Sequence, residues 1–486
     1  MEVSLKKFQF SDVPLKVKWI NDNNNNKYLH YDLPLEVKKT EEWYLKNQSN
    51  DSRFDATIMV DDYPVGIIGL INIDYKKFEA EYYITIGESA YKGKNIATKA
   101  SRLLLRYAFD EIKLSKVYLT TEVGNIPMQK LARKMSMIKE GQIAKYSMRD
   151  GNLYDVFYFS VEEQDFKNNI IYPENILSDI EFIAEDHKSN NIYIKRDDLI
   201  PFSFGGNKAR KATYFFDEIL AGNFNVVVTY GSKVSNHCRI ISNLCFKYGI
   251  KCIVVSPISD ENSNFNRDLI NLSGAEVVEC RIEEVSDTIN NIIENEKQHN
   301  NQKVYFIPGG GHGNQGTQAY VDAYNEIKMW SKQNKTNFDL IFLASGTGTT
   351  QAGLAIGKMK HQDTEVRVIG VSVARDKSRG SQAIIDSVNE YLTEYNINVR
   401  FDSKSIEFYD DYVERTYGKT TDLIDETIKN IYLNYGIPLS SNYTGKAFTG
   451  MNNFISENDI ANKNILFIHT GGIPLFFDDL SRIRNS

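Results

Sequence analysis

Cysteine is scarce in this chain: four residues in 486, Cys238, Cys245, Cys252 and Cys280. They form no C-x-x-C pair and no Cys/His cluster at metal-ligand spacing, which argues against a structural zinc and against a disulfide framework. Long apolar runs are missing too. The opening MEVSLKKFQFSDV lacks the uninterrupted apolar stretch of a signal peptide, and no later window approaches the length of a membrane span. The expectation is a reducing, cytoplasmic location with no membrane partner. An excess of positive charge is also absent. Fifty-seven Lys and Arg stand against 64 Asp and Glu, a net charge of -7, which favours solubility and speaks against nucleic acid as a partner. The asparagine run Asn23–Asn26 reads as a surface loop.

What is present is ordinary globular composition, 42% hydrophobic and 25% charged, in a chain too long for one hydrophobic core. From Phe54 to Ile73 two apolar runs flank Asp61, Asp62 and Pro64, which predicts a β-hairpin. A third strand, AEYYITIG, leads through a Gly/Lys-rich turn into TKASRLLLRYAFDEI, whose apolar residues recur at helical spacing. The strand KVYLTTEV, the segment NIPMQKLARKMSM and a pair of strands around YSMRDGNLYDVFYFSV close a first domain, 1–165. The polar stretch from Glu162 to Asn191 reads as a linker leading into the second domain, 166–486. Beyond it, NVVVTYG, KCIVVSP, EVVEC, KVYFIPGG, LIFLASG, VRVIGVS and ILFIHTGG alternate with helical stretches, as strands of a helix-covered parallel sheet do. Ligands of such sheets bind at the carboxyl ends of the strands.

In the first domain YKGKNIATKAS lies between a strand and a long helix, where turn and helix amides can converge on an anion. It resembles the acyl-CoA pyrophosphate loop of the GNAT N-acetyltransferases, with Lys92 at the first position, Gly93 and Lys94 following, Asn95 in place of the central Gly, then Ile96 and Ala97. Asn95 tolerates a positive φ better than most residues. Downstream, TTEVGNIPMQKLARKMSM resembles that family's second CoA element, with Asn125 opening a helix. Met135-Ser136-Met137 replace the common Leu-Gly-Phe, and Ala132 stands where a tyrosine often protonates the leaving thiolate. The resemblance implies an α+β fold using acetyl-CoA as cosubstrate and a small amine as acceptor.

In the second domain FGGNKARK places paired glycines, an asparagine and a lysine at a helix start. Alone, GGNK reads as a helix-cap loop with a solvated lysine; the other segments change that reading. TYGSKVSNHCR runs a strand into Ser232, Ser235, Asn236 and His237 before a helix, a cradle suited to a carboxylate. LASGTGTTQAGLA sets Ser345, Gly346, Thr347, Gly348, Thr349 and Thr350 at a helix N-terminus, a cup suited to a phosphate. SSNYTGKAFTGM and FIHTGGIP add hydroxyls and glycines.

Together these segments resemble the fold-type II, tryptophan-synthase-β-like pyridoxal-phosphate (PLP) enzymes, and within them the D-cysteine desulfhydrase and 1-aminocyclopropane-1-carboxylate (ACC) deaminase family. The resemblance implies two α/β subdomains, with Lys208 carrying PLP, the 345–350 cup holding its phosphate, and Asn236 and His237 near its 3-hydroxyl and the substrate carboxylate. Ser235, Tyr417 and Tyr443 are the implied catalytic side chains. Thr444 and Thr470 stand where the deaminases carry Glu and Leu. A hydroxyl facing the pyridine nitrogen makes a weaker electron sink than a carboxylic acid, which suits α,β-elimination.

The overall expectation is a bifunctional α/β enzyme, an amine acetyltransferase fused to a PLP lyase acting on a D-cysteine-like amino acid, and a homodimer through the PLP domain. The alternatives are a racemase or β-substituting PLP domain, and an N-terminal domain that is an acyl-CoA sensor.

Overall fold

The computed structural model describes residues 2–29, 31–149, 151–168, 177–259, 264–298, 302–373, 375–399, 401–411 and 420–485. They fall into two compact units, Met1–Glu174 and Asn175–Ser486. Residue 165, the expected boundary, lies in a short helix, Glu163–Lys167, whose Phe166 packs into the core of the first unit. A helix anchored in a core is part of the domain, not a linker.

The first unit is built on seven strands: β1 (Val3–Lys7), β2 (Phe54–Val60), β3 (Tyr63–Asp74), β4 (Glu79–Ile86), β5 (Lys116–Glu122), β6 (Ile138–Arg149) and β7 (Asn152–Glu162). They form one sheet in the order β1-β2-β3-β4-β5-β7-β6. The predicted hairpin is β2–β3, and its two turn residues, Asp61 and Asp62, both take left-handed φ (46° and 64°), the geometry that matches strand twist. β4 and β5 run parallel and pair only from Glu79 to Glu81 and from Lys116 to Tyr118. Both strands then continue without pairing to each other, which opens the sheet at their carboxyl ends. The helix Ile96–Arg106 buries Ala100, Leu104 and Leu105 against the sheet. β6 starts at Ile138, earlier than the alternation suggests, because register shifts at Lys139/Gly141 and Ile143/Ser147 break its period.

The second unit holds two sheets. A four-stranded parallel sheet has the order β12-β11-β10-β13, where β10 is Val226–Tyr230, β11 Lys251–Pro257, β12 Glu276–Cys280 and β13 Val304–Ile307. A six-stranded sheet has the order β16-β15-β14-β17-β9-β8, with β8 Ile180–Glu185, β9 Asn191–Lys195, β14 Leu340–Ser345, β15 Arg367–Ser372, β16 Glu407–Tyr409 and β17 Asn464–Ile468. All seven apolar runs of the sequence are strands here, and every pairing is parallel except β8 with β9. β8 lies where the polar linker was expected. It is an edge strand with only Ile180 buried, so it lacks the two-sided apolar signal of its neighbours.

Candidate active site

The carboxyl ends of β10, β13, β14 and β17 converge on one cavity of about 720 Å³. Its wall comes from the residues that follow each strand: Gly231, Gly309 and Gly310, Gly346 to Gly348, and Thr470 to Gly472. Lys208 enters from the first turn of the helix Asn207–Ala221. Its Nζ donates to the Gly310 carbonyl at 2.8 Å, and burial lowers its pKa from the usual lysine value to about 8. Gly205 and Gly206 precede this helix with φ of 57° and 92°. A Cβ on Gly206 would stand 2.7 Å from the Thr470 carbonyl oxygen; only glycine lets the two loops meet.

Opposite Lys208, Ser235 caps the helix Asn236–Tyr248. Its Oγ accepts the His237 N–H at 3.1 Å, which leaves its own hydroxyl proton for another acceptor. His237 is buried and pushed down to about 3, by burial first and then by Lys208 and Lys211, so its ring is neutral. Thr229 Oγ1 donates to the Ile307 carbonyl at 2.8 Å and is left with lone pairs. His237 Nε2, also 2.8 Å away, is therefore the donor in that contact, and Nδ1 is the free acceptor. Asn236 Oδ1 accepts from Asn266 Nδ2 at 3.0 Å.

The cup at 345–350 opens the helix Thr349–Lys360. Gly348, its N-cap, has φ 95°, and a Cβ there would meet the Ala383 backbone at 3.0 Å. Among the described residues Ser345 Oγ and Thr349 Oγ1 are buried without a hydrogen-bond partner. So is the Lys211 amine, one turn after Lys208, which burial and the Lys208 charge push well below the lysine range. Buried polar groups without partners carry a cost, and the Ser345, Thr347 and Thr350 hydroxyls with the amides of a helix N-terminus, all in the cavity wall, are donors of the kind a phosphate needs. The residues present fit PLP.

Of the sequence candidates, Lys208, Ser235, Asn236, His237, Ser345, Gly346, Thr347, Gly348, Thr350, Tyr443 and Thr470 line this cavity. Thr349 and Thr444 are fully buried and do not line it. Thr444 Oγ1 instead accepts the Ser440 N–H at 2.9 Å. Tyr417 lies outside the described residues. Sequence reasoning missed Tyr230, His312, Arg375 and Asp386, which also line the cavity. The first follows from its place at the end of β10; nothing in the local sequence marks the other three.

In the first unit Gly93 and Asn95 both take left-handed φ, 76° and 62°, and Asn95 is the N-cap of Ile96–Arg106. Lys94 lies over the Tyr91 ring, 5.7 Å from its centroid. Lys92 turns the other way: Nζ donates to the Asn24 carbonyl at 3.0 Å and to Asn25 Oδ1 at 2.5 Å. Asn25 also donates to the Trp19 and Gly87 carbonyls, each at 3.0 Å. The asparagine run, read from sequence as a bare loop, thus ties the 92–97 turn to the end of β4. Ile96 is buried and Ala97 carries the helix onward. Asn125 caps Ile126–Lys134 by accepting the Met128 N–H at 3.4 Å.

Comparison with known proteins agrees with this division. The family model for pyridoxal-phosphate dependent enzymes matches residues 175–471, and that for the acetyltransferase (GNAT) domain matches 2–138. A protein of Thermotoga maritima assigned as a 1-aminocyclopropane-1-carboxylate deaminase is 35% identical over 295 residues, 60% of this chain and 92% of the relative. A D-cysteine desulfhydrase of Salmonella paratyphi A is 30% identical over 299 residues, 60% of this chain and 90% of the relative. The crystal structure of an ACC deaminase homologue superposes with a TM-score of 0.59 at 29% identity, covering 67% of this chain and 99% of that one. The chain belongs to the pyridoxal-phosphate dependent enzymes, in the lyase group of D-cysteine desulfhydrase and ACC deaminase, and carries a GNAT acetyltransferase domain ahead of the PLP region.

Proposed function

We propose that the second unit eliminates the β-substituent of a D-cysteine-like amino acid and that the first transfers the acetyl group of acetyl-CoA to a small amine. PLP supplies an electron sink for the pair released when the Cα–H bond breaks. Lys208 takes that proton at Nζ; its lowered pKa keeps a neutral amine accessible near pH 8. The Ser235 hydroxyl and the first amides of Asn236–Tyr248 hold the substrate carboxylate. His237, neutral and fixed by Thr229, accepts a hydrogen bond at Nδ1 but carries no proton in the reaction. Ser345, Thr347, Thr350 and the amides after Gly348, all in the cavity wall, would hold the phosphate.

The observation that carries elimination over deamination is the chemistry of the 470–472 wall. Thr470 lines it, and among the described lining residues the one carboxylate is Asp386. Asp386 is three residues along its helix from Ala383, which abuts Gly348, and so sits by the phosphate cup. A ring nitrogen without an acid beside it is a weaker sink, which suits a reaction whose leaving group departs early. In the first unit, the loop from Lys92 to Ala97 and the ends of β4 and β5, where the two strands no longer pair with each other, give acetyl-CoA a cleft, with loop amides on the pyrophosphate.

Product analysis with panels of D- and L-amino acids tests the lyase. Pyruvate with sulfide or ammonia is expected; the opposite enantiomer would make the unit a racemase, and a β-substituted product with an added nucleophile would make it a synthase. Release of free CoA thiol with a panel of amines tests the transferase. Binding of acetyl-CoA without transfer would leave the first unit a sensor.

A further inference from the structure

Arg239 stands in the first turn of Asn236–Tyr248 and is 1% exposed. Helical side chains lean toward the N-terminus of their helix, and this one reaches the cavity wall beside Asn236 and Gly205. The guanidinium donates from one nitrogen to the Ser203 carbonyl and to Ser203 Oγ (2.9 Å). Its other terminal nitrogen is 3.5 Å from Asn236 Oδ1, Nε has no partner among the described residues, and the Phe204 ring centroid is 5.6 Å away. Among the described residues no carboxylate pairs with it. Two other buried guanidinium groups of this unit differ: Arg210 has Asp197 and Glu326, and Arg196 has Asp198 and Glu181. An arginine cannot shed its charge as a lysine can, so a buried guanidinium facing only neutral oxygens lacks an anion. Burial draws its pKa down to about 10 with no opposing charge.

The same guanidinium grips an unusual piece of backbone. Ser203, Phe204, Gly205 and Gly206 take left-handed φ in succession, 46°, 59°, 57° and 92°. Two of these are not glycine, so the run is strained and needs support. It leads directly into Asn207 and Lys208.

We propose that Arg239 is the positioning residue for the carboxylate of the amino-acid substrate: it supplies the buried positive charge, acts on the bound carboxylate through Asn236, and links carboxylate arrival through Ser203 to the 203–206 loop that carries Lys208. This rests on the reading of the cavity as an amino-acid site. The substrate class that follows is one with a free α-carboxylate; the corresponding decarboxylated amine is discriminated against even though its amine could reach Lys208.

The test measures binding to the PLP-loaded full chain, followed by the change in cofactor absorbance, for matched pairs: cysteine and cysteamine, serine and ethanolamine, alanine and ethylamine, with both enantiomers of each amino acid. The parent is expected to prefer the amino acid. Arg239→Gln should weaken amino-acid binding roughly 30-fold or more, the scale of losing one partner of a buried charge pair, and leave amine binding unchanged. Arg239→Lys should keep most of the preference, since it retains the charge and loses only the fork. PLP occupancy and far-ultraviolet circular dichroism establish that the variants are folded. If Arg239→Gln weakens amino acids and amines alike, the residue is only a clamp for the 203–206 loop and the proposal is overturned; an unchanged preference overturns it too. A parent that binds no amino acid better than its amine would show instead that the cavity has been misread, and the proposal falls with that reading.

Discussion

At the scale of single residues the second unit is organised by what its buried nitrogens lack. Lys208 and Lys211 share one helical face, neither has a carboxylate partner among the described residues, and burial lowers both. For Lys208 the consequence is kinetic. Only the unprotonated amine attacks an aldehyde, so recombination of the cofactor-free protein with PLP should speed up as pH rises and level off above about 8, the value burial gives this amine. Stopped-flow absorbance measures the rate, and a profile still rising steeply at pH 10 would show the amine is not lowered. Borohydride reduction of the loaded protein followed by peptide mass spectrometry should leave the cofactor mass on Lys208 alone.

At the scale of elements, the helix bearing Lys208 is held by a buried ionic cluster. Arg210 pairs with Asp197 at 2.8 Å and Glu326 at 2.7 Å; Lys195 pairs with Glu326 at 2.7 Å; Tyr320 donates to Asp197 at 2.6 Å. Breaking such a cluster leaves charges buried and unpaired, so Asp197→Asn should cost on the order of 3–5 kcal/mol in unfolding free energy, read by denaturant titration. The pairing cations hold both carboxyls below their ordinary values in spite of burial. Groups depressed on folding contribute stability that is complete above their unfolded pKa, about 4, and is lost as pH falls through the folded values. The parent should therefore lose stability below about pH 4, and Asp197→Asn should lose less over that range. The sequence marked the strands and the cup well, because a parallel sheet leaves two-sided apolar runs and glycine-rich ends. It marked this cluster not at all. Its members lie at 195, 197, 210, 320 and 326, and only the packing of β9 against two helices brings them together. The same holds for Arg239, whose environment depends on a loop more than thirty positions earlier, and for β8, whose edge position leaves it polar enough to pass for a linker.

At the scale of the molecule the proposed acetyl-CoA site and the proposed cofactor cavity belong to two compact units. Asn95 caps a helix with left-handed φ, and if the 92–97 turn holds the pyrophosphate of CoA as proposed, a carboxylate there would repel it. Asn95→Glu in the full chain should abolish acetyl-CoA binding by isothermal titration while PLP occupancy stays at the parent level. Parental CoA affinity in that variant would mean that the 92–97 turn does not hold the nucleotide.

The orphaned donors of the 345–350 cup also bear on how the protein behaves at the bench. Stripped of cofactor, a site of unpaired buried donors takes whatever oxyanion the buffer offers, and ligands that bind only the folded state raise apparent stability by mass action. Melting temperatures of cofactor-free protein should rise with phosphate or sulfate and barely respond to chloride at equal ionic strength, whereas the loaded protein should be indifferent to all three. Purification in phosphate would then conceal loss of the coenzyme from a stability assay, and a simple change to a Tris or HEPES buffer would reveal it.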